Sequence, residues 1–165
     1  MSSEQAISIG IDSKRRADHG AVGPVSMPVD ELLTGNGLVT GQSGADPAET
    51  ARLIAEGLLD VDETVLLVDP AGAFDALTDH AAVLHVGGDR NCDVEVRPDA
   101  VDRVASLAIN GDTSILLDLA AFDASAADDV LGGLTDALVD EHRDRDSNLL
   151  VIANECERWL SANGP

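Results

Sequence analysis

The residues whose types and spacing could do chemistry begin at Gly41. Gly41-Gln42-Ser43-Gly44-Ala45-Asp46-Pro47-Ala48 follows the short apolar run Leu38-Val39 and precedes Ala51, Ile54, Ala55 and Leu58 at helical spacing. A Gly-rich turn between a strand and a helix is the layout that cradles a phosphate. The amides of the helix N-terminus donate to the anion, and in the pattern GxxxxGK[ST] a lysine and a hydroxyl add contacts to phosphate and Mg²⁺. Aligned from Gly41, this chain has Asp46 at the second glycine, Pro47 at the lysine and Ala48 at the hydroxyl. The frame of a nucleotide site is present without its three committed positions.

What stands there instead has a local purpose. Asp46, Pro47 and Glu49 read as an N-cap, a proline at the first helical position and an acid three residues after the cap. The Asp46 carboxylate is expected to take the amides that a phosphate would otherwise take, and its charge would repel a triphosphate. Pro47 removes one donor altogether.

Other polar residues close apolar runs further along: Asp69 after 64–68, Asp118 after 114–117, and Asn154-Glu155 after 149–152. In open α/β sheets the ligand crevice lies beyond the carboxyl ends of the strands. The 41–44 turn, Asp69, Asp118 and Asn154-Glu155 are therefore expected to converge. Cys92 and Cys156 are isolated and share no metal-type spacing with His19, His80, His85 or His142, so no metal site is expected. His85, inside an apolar run, reads as a packed or edge histidine.

The elements that position these residues follow from the pattern. Weak alternation over 6–9 and over 25–29 gives two short strands, with a polar loop at 12–23 between them. Continuous apolar runs at 64–68, 82–86, 114–117 and 149–152 read as strands buried on both faces. Helical spacing recurs at 47–59, 98–108 and 124–141, and a short helix is expected over 154–162. Strands alternating with helices imply an α/β domain with a mostly parallel sheet and helices on both faces.

Composition narrows the function classes. Thirty-one acidic against 10 basic residues give a formal charge of −21, and the carboxylates are scattered along the whole 165-residue chain. A dense carboxylate shell of this kind suits a halophilic, archaeal cytoplasm. Direct nucleic-acid binding is not expected, because phosphate contacts need clustered Lys and Arg. The one basic cluster, Lys14-Arg15-Arg16, reads as solvated. No apolar run reaches the ~20 residues of a membrane span, and the N-terminus lacks a signal-peptide core.

Four motifs in order resemble the HerA-like ATPases of the HerA–FtsK/VirB4 group. GQSGADPA (41–48) is similar to the phosphate loop, and LLVDPAGAF (66–74) to the strand and D-P-x-G-E-[YF] turn, with Ala73 in place of the acid. ILLDLAAFD (115–123) resembles the next strand. LLVIANECERWLSANG (149–164) resembles the Walker B strand and the E-E-A-H-R-F-L-P helix. The resemblance implies a RecA/HerA-like, three-layer P-loop NTPase domain over 24–165, preceded by an N-terminal strand and loop at 1–23. By the same resemblance Asn154 stands at the Mg²⁺-side acid and Glu155 at the water-activating glutamate. The remnant nucleotide site would comprise Gly41, Gln42, Ser43, Gly44, Asp46, Pro47, Ala48, Asp69 and Asn154, with Glu155 as the remnant catalytic residue.

With lysine, hydroxyl and metal-side acid replaced, the expected function is a catalytically inactive module for interaction or assembly, without cofactor or metal. It would self-associate or dock on a protein partner such as an active ATPase or nuclease. Two alternatives are a divergent ATPase using Glu155 and a sensor that binds Mg-ATP without hydrolysis.

Overall fold

The computed structural model describes residues 5–11, 23–42, 45–80, 83–111, 113–143 and 149–155. The Lys14–Arg16 cluster, Ser43, Gly44 and most of the expected 154–162 helix lie outside the described residues. The chain divides into two compact units, Met1–Glu63 and Thr64–Pro165.

In the first unit, β1 (Ala6–Ile11) pairs antiparallel with β2 (Pro24–Pro28), placing Ile7 opposite Met27. Pro28 ends the strand, and the short helix α1 (Val29–Thr34) follows at once. The helix expected from residue 47 forms as α2 (Pro47–Leu59) and packs on β1. The approach is close: a Cβ on Gly57 would sit 2.8 Å from the Cβ of Ile7. The C-terminus of α2 closes in a Schellman motif. Glu63 N–H donates to Leu58 O at 3.0 Å and Asp62 N–H to Leu59 O at 3.1 Å, with Asp62 left-handed at φ 62°.

The strand expected at Leu38-Val39 does not form. Residues 36–40 carry no secondary structure, and Leu38 is 76% exposed. Two apolar residues between Gly37 and Thr40-Gly41 are too few to cover both faces of a buried strand, and among the described residues no neighbouring strand takes up their backbone.

The second unit is α/β, built on a five-stranded, all-parallel sheet. Its strands are β3 (Val65–Asp69), β4 (Val83–Gly87), β5 (Val94–Glu95), β6 (Ser114–Asp118) and β7 (Leu150–Ala153), in the spatial order β5-β4-β6-β3-β7. The two-residue β5 escaped the pattern, being too short to show periodicity. β3 is buried at every position and β6 at all but its last, as continuous apolar runs require. Helices α3 (Asp102–Asn110) and α4 (Ala124–Arg143) cover one face. There Val104, Ala105, Ala108, Val130 and Leu134 pack with Leu66, Val68, Val86, Ile115 and Leu117. None of the described helices is long and apolar enough to cross a membrane.

Candidate functional site

Two places carry the residues singled out by type, one in each unit. In the first unit, the described residues just before α2 bond among themselves. Ala45 N–H donates to Gln42 O at 2.8 Å, and a Cβ on Gly41 would meet the Cβ of Ala45 at 2.8 Å. Asp46 is the N-cap of α2, its Oδ1 accepting from Glu49 N–H at 3.1 Å, and Pro47 opens the helix. One of the amides that would face an anion is thus taken by the chain's own carboxylate, and another is absent by virtue of proline. Beyond the cap, Arg52 pairs with both Glu49 and Glu56 along the exposed side of the helix. That pairing holds the Glu49 carboxyl below its usual range.

In the second unit, Asp69, Asp118 and Asn154 come together at the carboxyl ends of β3, β6 and β7. Asp69 and Asp118 face each other in register, and Asn154 N–H donates to Val68 O at 3.0 Å. Their roles differ. Asp69 is 1% exposed, and both of its oxygens are used by the turn that follows: Oδ2 accepts from Phe74 N–H at 2.7 Å and Oδ1 from Ala71 N–H at 3.1 Å. Gly72, at φ 76°, lets that turn close. This carboxylate is committed to the backbone. Asn154 is half-buried in a turn, and the exposed Glu155 adopts a left-handed φ of 48°.

Asp118 is placed otherwise. Its Oδ1 accepts from Ala120 N–H at 2.8 Å, which leaves Oδ2 turned toward β4, 3.3 Å from Nε2 of His85. The Sγ of Cys92 lies 3.5 Å from the same nitrogen. His85, Cys92 and Asp118 are all half-buried. His85 lies opposite Leu116, and Gly87 opposite Asp118, so His85 and Asp118 share the sheet face opposite α3 and α4.

Cys92 is delivered by the 88–93 turn. Within it Asp89 Oδ1 accepts from Asn91 N–H at 2.8 Å, and Asp93 Oδ2 accepts from His85 N–H at 3.0 Å. A Cβ on Gly87 would lie 2.5 Å from Cys92 Sγ and 3.0 Å from Asp118 O, so only glycine admits the thiol at this spot.

Burial raises the pKa of the Cys92 thiol. A backbone hydrogen bond at Asp89 opposes the rise, and the charges of Asp118 and Asp89 add to it. A raised pKa is the opposite of the depressed one that marks an activated thiolate. The group is not a relay either. In a Cys–His–Asp relay the thiol and the carboxylate take opposite ring nitrogens, whereas here both approach Nε2.

Cys92, isolated by spacing in the sequence, lies in the structure beside His85 and Asp118. The signal was not in the spacing, because sheet pairing rather than chain proximity supplies the third member. Comparison with protein-family models, with curated proteins and with solved structures finds no match.

Proposed function

We propose that this chain is a catalytically inactive α/β module of HerA-like descent that works by association, as a self-associating or partner-docking domain. One observation carries the proposal: the N-terminus of α2 is closed by the Asp46 cap and Pro47, where a nucleotide site needs free amides, a lysine and a hydroxyl. Asp69, which the resemblance assigns to the remnant site, spends both oxygens on its own turn. The association half rests on exposed material suited to pairing. Leu38 and Val39 are exposed in a segment outside either sheet, and β7 ends the parallel sheet with a free outer edge among the described residues.

Calorimetric titration of Mg-ATP and Mg-ADP in molar KCl tests the first half, the salt screening the −21 charge. No heat at millimolar nucleotide is expected, and micromolar binding would overturn it. The triple variant Asp46→Gly/Pro47→Lys/Ala48→Ser should gain ATP affinity, and a gain of none would count against the reading of the loop. For the second half, sedimentation across a concentration series with wild type and Leu38→Glu should show association that the variant loses. A monomer at all concentrations would leave only the partner-docking form. If nucleotide binds after all, the sensor and ATPase readings return, and Glu155→Gln separates them by hydrolysis.

A further inference from the structure

We propose that His85, Cys92 and Asp118 form a binding site for a divalent transition-metal ion, with Zn²⁺ as its best occupant. The inference is independent of the proposed association role. The three ligand atoms lie within 4.8 Å of one another, with Nε2 to Oδ2 at 3.3 Å and Sγ to Nε2 at 3.5 Å. A tetrahedral zinc with bonds of about 2.3 Å to sulfur and about 2.0–2.1 Å to nitrogen and oxygen needs N···O near ~3.4 Å and S···N near ~3.6 Å. Both measured separations match an edge of that tetrahedron.

Hydrogen bonding explains the trio less well. Neutral Nε2–H donates to Asp118 and the thiol proton goes to Asp89 Oδ1 at 3.8 Å, so the 3.5 Å approach of Sγ to Nε2 rests on no proton of its own. The N···O separation of 3.3 Å is also longer than the ~2.7–2.9 Å of a charge-assisted bond. One metal ion satisfies all three donors together.

The donor set selects the metal. A thiolate with an imidazole favours zinc and its neighbours over Mg²⁺ and Ca²⁺, which take oxygen ligands. Three protein donors leave a fourth position for water or an incoming ligand. The surroundings hold the donors in place. Ala120 N–H fixes the Asp118 carboxylate, and Asp93 holds the backbone of His85. Outer partners of this kind orient metal ligands. Gly87 leaves the space in which the thiol sits.

The test is titration of Co²⁺, then Zn²⁺, into the chelator-stripped full chain in molar KCl with Mg²⁺ in excess, so that surface carboxylates are occupied. One equivalent of Co²⁺ should bind with a sulfur-to-cobalt charge-transfer band and the visible bands of four-coordination, and Zn²⁺ should displace it. Cys92→Ser should abolish the charge-transfer band and weaken binding by about a hundredfold or more, beyond what loss of an outer partner alone costs. His85→Gln should weaken binding similarly. Gly87→Ala, which removes no donor, should weaken it by displacing the thiol. Cys156→Ser should bind as wild type. Absence of the band in wild type, its survival in Cys92→Ser, or its loss in Cys156→Ser would each overturn the proposal.

Discussion

Replacing Asp69 by asparagine separates a structural carboxylate from a remnant ligand. Asp69 is buried and accepts from two backbone amides, those of Phe74 at 2.7 Å and Ala71 at 3.1 Å. Asparagine keeps one acceptor oxygen and turns an NH₂ group toward the second N–H. Ala71 is exposed, so its amide can turn to water, whereas Phe74 is fully buried and its amide cannot. The oxygen therefore stays on Phe74, and the buried donor left unmade is the asparagine NH₂ itself, at a cost of about 1–3 kcal/mol, while exchanging a charged acceptor for a neutral one loses about 1 kcal/mol more.

The expected destabilisation of Asp69→Asn is therefore about 2–4 kcal/mol. Relief of charge repulsion is small in molar KCl, where screening reaches only ~3 Å. Urea unfolding in molar KCl, followed by circular dichroism, reads this directly. With a slope of about 2 kcal/mol/M the midpoint should fall by about 1–2 M, the slope itself staying constant. A midpoint within the equivalent of ~0.5 kcal/mol of wild type, the range of an ordinary surface change, would refute the structural role. An accompanying change in nucleotide titration would then restore Asp69 to a binding site.

The remaining predictions concern α2 and can be read in the same assay. Asp46→Ala should cost about 1 kcal/mol and Asp46→Ser much less, because serine still caps; equal losses would mean that the Glu49 amide does not depend on the side chain. Asp62→Gly should stabilise by up to about 1 kcal/mol, since the left-handed φ of 62° suits glycine better. A loss there would show that the Asp62 side chain makes a contact worth more than its strain. Gly57→Ala sets a helix-propensity gain of about 1 kcal/mol against overpacking on Ile7 of about 1–3 kcal/mol. Net destabilisation is expected, because the clash is with the stiff Cβ of a β-branched residue, and a more stable variant would mean that helix and strand part freely.

The regular elements were legible where periodicity was long or burial complete. The 47–59 helix was readable to the residue, since Asp46-Pro47 marks its start and four apolar residues mark its face. β3 and β6 were readable because strands buried on both faces leave unbroken apolar runs. Leu38-Val39 misled for the opposite reason. A familiar turn followed it, so two apolar residues stood in for a strand that, among the described residues, no neighbouring strand pairs with. The acids closing β3 and β6 looked equivalent in sequence. What separates them is whether the following turn takes both oxygens, as for Asp69, or one, as for Asp118.

The His85–Cys92–Asp118 group was beyond reach for a physical reason. Its members lie at separations set by a crossover connection, α3 standing between His85 and Asp118. Only the parallel register of β4 on β6, with Gly87 opposite Asp118, puts His85 and Asp118 on one face. A slip of one residue would turn Asp118 to the other face, toward the apolar layer under α3 and α4, where an unpaired carboxylate is costly. The pairing that buries Ile115 and Leu117 against those helices therefore also aims Asp118 at His85. This set of donors is thus built by core packing, with Gly87 as the residue in the strand that leaves room for it.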